Sequence, residues 1–350
     1  MKRPTITDIA QRAGVTKAAV SFALNGQPGV SAATRERILA IAEEIGFQPN
    51  SAARALTVGK SGVFGLVIDR PARTIGIEPY FMQLLSGIQA DLAAHQVLLQ
   101  FTMTEDVEAE IEFYQQWWGQ RRVDGVFLVD LQVDDRRIAA IEKLRMPAVV
   151  IGTPRGAGSL PAIWQDDRAA VDIVVGYLAA QGHRRVARVS GKATYWHSVL
   201  RKEAFAAATA AAGLTAFSVE ADYSAEHGAQ ATVGLLGSAE PPTAIVYDND
   251  VMAAAGLGVA QRMGVSVPDG VSIVSWDDSA LCELMHPALT ALRRDIAGAG
   301  ATGARMLREL AAGGHPESVM EATPVLQARM SSGWAGVPEV RAPGRTRLPA

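Results

Sequence analysis

A single cysteine, Cys282, stands in the 350 residues of this chain, which excludes an intrachain disulfide and a thiolate metal cluster and leaves that thiol as a small packed side chain. Histidine is equally sparse. The six histidines are scattered, and no H-E-x-x-H pair or G-x-S-x-G elbow supplies metal ligands or a nucleophile. Apolar runs stop well short of the ~20 residues that cross a bilayer, and the N-terminus lacks the basic and apolar regions of a secretory signal. The expected location is therefore the cytoplasm, with no membrane partner. Two imitations of phosphate-binding loops fail on context. Gly298-Ala-Gly300-Ala-Thr-Gly303 matches G-x-G-x-x-G but falls late in the chain inside a helical pattern, whereas a dinucleotide fingerprint opens the first β-α unit. Gly59-Lys60-Ser61 resembles the end of a phosphate loop, yet the upstream glycine position is held by Arg54. Enzymatic chemistry, a metal and a cofactor are not expected.

Charge is low overall, at a net −3, but unevenly placed. Residues 1–60 carry eight basic and four acidic side chains, a net +4, and the rest of the chain carries −7. Attraction to phosphate belongs to the N-terminal segment. There, Ile6, Ile9 and Ala10 lie on one helical face, Gly14 permits a tight turn, and Val15, Val20, Phe22, Ala23 and Leu24 furnish a second helix. Thr7 and Thr16 are the candidate N-caps. A small residue at Ala10 allows close helix approach and leaves the outer face of the second helix free for a major groove, with Lys17, Ala18, Ser21, Phe22 and Asn25 on it. The competing interpretation is an ordinary three-helix domain with a solvated basic face.

The following segment separates the two. Asn50-Ser51-Ala52-Ala53-Arg54-Ala55-Leu56 comes after Pro49, so Asn50 or Ser51 can cap a helix of about two turns, too short to stand alone in water. Its alanines permit close approach of two copies, Arg54 can meet phosphate, and Leu56 has no evident core to enter. A wedge into a minor groove is one use for such a leucine.

T-I-T-D-I-A-x-x-A-G-V-T-x-x-A-V-S-x-x-L-N-G, followed by V-S-x-x-T-R-E-R-I and the hinge N-S-A-A-R-A-L, resembles the lactose/galactose repressor (LacI/GalR) family over residues 5 to about 332. The resemblance implies a homodimer on a near-palindromic double-stranded operator, with recognition helices in adjacent major grooves and paired hinge helices that bend the centre through Leu56. It implies DNA contacts from Thr5, Thr16, Lys17, Ala18, Ser21, Phe22, Asn25, Asn50, Ala53, Arg54 and Leu56. Arginine is usual in the family where this chain has Phe22, which can instead touch a thymine methyl or simply pack.

From Gly62 onward, short β-rich runs alternate with helical stretches: 62–68, 97–103, 123–130 and 147–152, then 184–191, 244–250 and 271–278. That alternation implies parallel sheets with crossover helices in two α/β lobes. The resemblance implies a periplasmic-binding-protein-like arrangement crossed three times, near residues 162, 291 and 322. The expected fold is thus an N-terminal all-α helix-turn-helix headpiece plus an α/β two-lobed periplasmic-binding-protein-like domain. Its divisions are residues 1–49 for the headpiece, 50–61 for hinge and linker, 62–161 with 292–321 for lobe 1, and 162–291 with 322–332 for lobe 2. A disordered tail at 333–350 has no leucine heptads of the kind that would make a tetramer.

Ligands of such sheets sit beyond the carboxyl ends of the strands. Polar and aromatic residues at those ends are Asp69, Trp164, Asp166, Tyr195, Trp196, Arg201, Tyr223, Asn249 and Asp277. Carboxylates, an amide and a guanidinium can engage adjacent hydroxyls, and an aromatic ring can cover a pyranose face, so a sugar effector fits. By resemblance, Arg201 in R-K-E-A-F matches the family's sugar-contacting R-x-x-G-F, with Ala204 in place of glycine. Asn249 and Asp277 match its N-D and D-D motifs, and Phe81 matches an aromatic opening the first lobe's helix. Each has a structural alternative, since an Asp after a strand often only caps a helix and Phe81 can be core. The function expected is a sugar-released repressor of carbohydrate uptake or catabolism genes. The alternatives are a regulator needing a corepressor, a purine or a phosphoprotein, and a transport-type solute-binding protein.

Overall fold

In the computed structural model, residues 4–47, 59–70 and 76–335 are described. They fall into two compact units, Met1–Gly62 and Val63–Ala350.

The first unit holds α1 (Ile6–Ala13), α2 (Lys17–Leu24) and α3 (Ala32–Glu44). The cap of α1 is Thr5 rather than the expected Thr7: the Asp8 carboxylate accepts from the Thr5 backbone N–H at 2.7 Å and from its hydroxyl at 2.6 Å. Asp8 stands three residues after Thr5, the spacing of a capping box, whereas Thr7 lies inside the helix. Gly14, with φ 63°, ends α1, and the Thr16 hydroxyl accepts from Ala19 N–H at 3.2 Å to start α2. Ile9, Ala10, Ala13, Val20, Ala23, Ile38 and Ala42 form the core, so the small Ala10 and Ala13 are what let α1 approach its neighbours.

The second unit contains two six-stranded sheets. Lobe 1 has the strand order β11-β5-β4-β3-β1-β2, built from β1 (Val63–Asp69), β2 (Leu98–Thr104), β3 (Gly125–Val129), β4 (Ala148–Gly152), β5 (Ala162–Trp164) and β11 (Val319–Met320). Its helices are α4 (Pro79–Ala94), α5 (Val107–Gly119), α6 (Arg136–Leu144) and α12 (Ile296–Ala311). Lobe 2 has the order β12-β10-β9-β8-β6-β7, from β6 (Arg185–Ser190), β7 (Thr215–Glu220), β8 (Ala244–Tyr247), β9 (Ser272–Ser275), β10 (Thr290–Arg293) and β12 (Val325–Gln327). Its helices are α7 (Asp167–Ala180), α8 (Trp196–Ala211), α9 (Ala225–Leu236), α10 (Asp250–Arg262) and α11 (Ala280–Leu284). β1, β3, β4, β8 and β9 are buried along most or all of their lengths, as parallel strands covered on both faces must be.

Three details depart from the sequence expectation. β5 pairs with β4 through Trp164 and β10 pairs with β12 through Arg293, so residues 162–164 belong to lobe 1 and the second crossing follows 293. β12 runs antiparallel to β10 in an otherwise parallel ladder. The tail does not loosen at Gly333: its N–H donates to Ser272 Oγ at 3.1 Å, and Ala335 N–H donates to the Gln181 carbonyl at 2.9 Å. Residues 336–350 lie outside the described residues.

The glycine run at 298–303 lies within α12, where its use is close packing. A Cβ on Gly300 would come 2.4 Å from the Leu84 carbonyl oxygen of α4, and one on Gly87 would come 1.8 Å from that of Ala297. The two helix backbones touch, and no dinucleotide loop exists here. Cys282 is fully buried. Among the described residues, no helix is long and apolar enough to cross a membrane.

Candidate functional site

On the second helix of the headpiece, Thr16, Lys17 and Ala18 are exposed at the N-terminal end, Asn25 is exposed at the C-terminal end, and Ser21 is half-buried between them. The positive end of the helix dipole and Lys17 therefore share one edge, which suits phosphate. Asn25 Nδ2 donates to Ser21 Oγ at 3.4 Å, one turn earlier. Phe22 is 40% exposed, and its ring edge lies 3.3 Å from where a Cβ on Gly29 would stand, so it both packs against the following turn and presents ring surface outward. Thr5 is exposed, its hydroxyl committed to Asp8. Asn50, Ala53, Arg54 and Leu56 lie outside the described residues.

In the second unit the carboxyl ends of both sheets face one cleft. Arg70 follows β1, Asp130 follows β3, Asp248 and Asn249 follow β8, and Asp277 comes shortly after β9; Glu78, Tyr80 and Phe81 stand at the start of α4. The crossing segments add Trp164, Gln165, Asp167, Arg294 and Glu321. The free space among them is about 80 Å³, against ~300–1,000 Å³ for a typical small-molecule site. A ligand of sugar size therefore requires side chains or lobes to move.

Arg70 shows how. Its guanidinium pairs with Asp130 at 2.8 Å, donates to the hydroxyl of Tyr195, and lies 4.7 Å from the Tyr195 ring and 5.1 Å from that of Tyr223. A lobe 1 cation is thus held on lobe 2 aromatics, with attraction that grows as water is excluded. Beside it, the backbone N–H of Trp196 donates to the Leu131 carbonyl at 2.9 Å and that of Val133 to the Thr194 carbonyl at 2.9 Å. Arg201 donates to Asp167 at 2.8 Å and covers the Trp276 ring at 4.4 Å. Arg294 pairs with Asp277 and lies 5.1 Å from the Tyr80 ring. Asn249 is doubly engaged: Oδ1 accepts from Met252 N–H at 2.8 Å as the cap of α10, while Nδ2 donates to the Tyr223 carbonyl at 3.0 Å.

Of the sequence candidates, Phe81, Trp164, Arg201, Tyr223, Asn249 and Asp277 line this cleft. Phe81 is also a core residue of lobe 1, 1% exposed. Four do not line it. Tyr195 is buried with its hydroxyl on Arg70. Asp69 points to Gln132, whose Nε2 donates to it at 3.4 Å, and only its carbonyl meets Arg70. Asp166 caps α7, accepting from Arg168 and Ala169 N–H at 3.0 Å each, and borders an adjoining cavity of about 330 Å³ that shares Trp164 and Asp167 with the cleft. Trp196 packs against the lobe 1 core with Arg155 4.4 Å above its ring. Sequence reasoning missed Arg70, Glu78, Asp130, Asp167, His197, Arg294 and Glu321. A usable signal existed for Asp167, since a cap faces the helix end and the next residue is free to turn away.

Burial governs ionisation here. It pushes the Glu78 carboxyl up to about 8 despite Arg70, and Glu321 up to about 7. It holds His197 well below its usual value, with Arg201, Arg70 and Arg294 acting in the same direction. A neutral His197 therefore shares a hydrogen bond with the Tyr223 hydroxyl at 2.5 Å. Glu78 has a consequence for stability. An acid whose folded pKa is raised costs nothing below its usual 4.5, and its cost grows as pH climbs towards about 8, because the unfolded chain ionises first. Glu78→Gln should therefore gain thermal stability relative to the parent as pH rises from ~5 to ~8. Parallel melting curves across that range would contradict this.

A helix-turn-helix unit joined to a periplasmic-binding-protein-like pair of lobes defines a transcriptional regulator. Residues 5–50 match the family described as bacterial regulatory proteins, lacI family, and residues 175–332 match the periplasmic binding protein-like domain. The HTH-type transcriptional regulator CelR of Thermobifida fusca is 30% identical over 329 residues, covering 91% of this chain and 95% of that protein. The lac repressor dimer bound to operator and the anti-inducer ONPF superposes with a TM-score of 0.84 at 25% identity, covering 95% of this chain and all of the other. A CelR–cellobiose complex superposes with a TM-score of 0.72 at 26% identity, covering 94% of this chain and all of the other. The chain belongs to the LacI family of transcriptional regulators.

Proposed function

We propose that the protein is a cytoplasmic repressor that binds a near-palindromic operator as a homodimer and is released by a sugar, controlling genes of carbohydrate uptake or breakdown. The observation that carries the effector class is the cleft: guanidinium, carboxylate and amide groups stand beside Tyr80, Phe81, Trp164 and Tyr223, the chemistry that pairs with adjacent hydroxyls and covers the apolar face of a pyranose. The CelR–cellobiose complex, a relative with the same fold, is consistent with it. The proposed domain divisions put DNA contact in residues 1–49, a hinge at 50–61 and effector binding in the two lobes. Release follows if the effector favours one arrangement of the lobes over another, since DNA affinity then shifts by the ratio of its affinities for the two. A regulator performs no bond chemistry, and none of the cleft's groups is assigned a catalytic role.

The test is fluorescence anisotropy of a labelled duplex from the gene's own upstream region, titrated with protein at fixed salt with and without a panel of sugars. Tight binding lost on addition of one sugar supports induction. Binding that tightens with a ligand reverses the sign and makes that ligand a corepressor. Tight binding that no sugar alters removes the sugar assignment.

A further inference from the structure

The charged groups around the cleft do not balance. Three guanidinium groups line it and each already has a carboxylate: Arg70 with Asp130, Arg201 with Asp167, and Arg294 with Asp277. A fourth carboxylate, Asp248, is taken from behind by Arg188, whose Nε lies 2.8 Å from Oδ1. Two lining carboxyls, Glu78 and Glu321, remain without a cation of their own among the described residues. Glu78 is 6% exposed, its Oε2 accepts no hydrogen bond, and its nearest cation is Arg70 Nε at 4.0 Å, on the guanidinium already paired with Asp130. Asp250, at the start of α10, adds a further buried carboxylate whose Oδ2 is likewise unpartnered.

We propose that the cleft takes a cationic polyhydroxy effector, an amine-bearing sugar, whose ammonium supplies the counter-charge that buried Glu78 lacks, with Glu321 a second lining carboxyl that adds to the negative field. This deepens the sugar reading and rests on it. An isolated buried carboxylate is costly and relieves the cost by keeping its proton. The raised pKa values of both glutamates fit that state. An ammonium has three donors and no acceptor, the complement of an unpartnered carboxylate oxygen such as Glu78 Oε2, whereas Glu321 already shares a hydrogen bond with Gln165. On binding, the ammonium takes the place of the proton retained by Glu78, and that proton leaves for solvent. A ligand carboxylate or phosphate meets no unpaired cation among the described residues and must displace an aspartate from its arginine. A neutral sugar meets a Glu78 that keeps its proton and gains no charge pairing.

Isothermal titration at pH 7 with glucose, glucosamine and glucuronate, and with galactose, galactosamine and galacturonate, in two buffers of different ionisation enthalpy, tests this on the full chain. In at least one series the amine should bind about tenfold tighter than the neutral sugar, as one charge-assisted hydrogen bond supplies. The acid should bind weakest, and amine binding should release protons. Glu78→Gln should bring the amine-to-neutral affinity ratio close to one. If that variant fails to fold, Glu321→Gln, at a half-buried position, should lower the same ratio. An acid or neutral sugar binding as tightly as its amine, or amine binding without proton release, overturns the proposal. If neutral sugars bind and amines do not, only this inference falls. If no member of either series binds, both it and the sugar reading fall.

Discussion

Arg201→Ala is expected to weaken effector binding by roughly 10- to 100-fold, the worth of a charge-assisted hydrogen bond in a desolvated site, and to abolish release from the operator at working effector concentrations. Arg201 is 6% exposed, held between Asp167 and the Trp276 ring, and directed into the cleft from α8. Its removal also leaves Asp167 without its cation, so part of the loss reflects an uncompensated carboxylate. Arg201→Lys separates the two contributions. The charge is kept but the planar fork is lost, and the loss should be intermediate. Effector titrations of operator-bound protein measure both variants. A full response in Arg201→Ala would remove Arg201 from the effector site.

Leu56→Ala carries the other large expectation. If the leucine wedges into a minor-groove step, as the hinge motif implies, its truncation removes contacts that offset unstacking of the bases, worth a few kcal/mol per step. Operator affinity should fall by roughly 10- to 100-fold while effector affinity stays at the parental value. Unchanged operator affinity would end the hinge mechanism, and an equal loss of effector affinity would point to a folding defect.

The motifs legible in the sequence are those whose chemistry is local. In the headpiece, Thr16, Gly14 and the spacing of Ile9, Ala10, Val20 and Ala23 act within one or two turns, so residue order alone describes two helices and their turn. A threonine before an apolar helix satisfies a cap pattern at Thr5 or at Thr7, and the two bonds that Thr5 donates to the Asp8 carboxylate place the cap at Thr5. Long buried strands such as β1 and β4 were equally legible. β5, β11 and β12 escaped at two or three residues each, β10 with only Ala291 and Leu292 apolar, and β7 because it is mostly exposed at a sheet edge, where no continuous apolar run is required.

The cleft was half legible. Arg201, Asn249 and Asp277 stand in recognisable motifs at strand ends, and the structure brings them to one cavity. Asp166 and Asp167 are both plausible in sequence, and only the cap geometry sends the first to the α7 backbone and leaves the second to Arg201. Arg70 and Asp130 lie far apart in sequence and Arg294 lies further still. Their meeting depends on strand order and on the second crossing between lobes, which no local window contains. By itself, then, the sequence determined a DNA-reading headpiece, a two-lobed α/β body and the family, because short-range periodicity and contiguous motifs carry them. The tertiary structure alone decided which carboxylates are paired, which are buried without a cation, and hence what charge the cleft is suited to receive, because ion pairing and desolvation are set by neighbours in space.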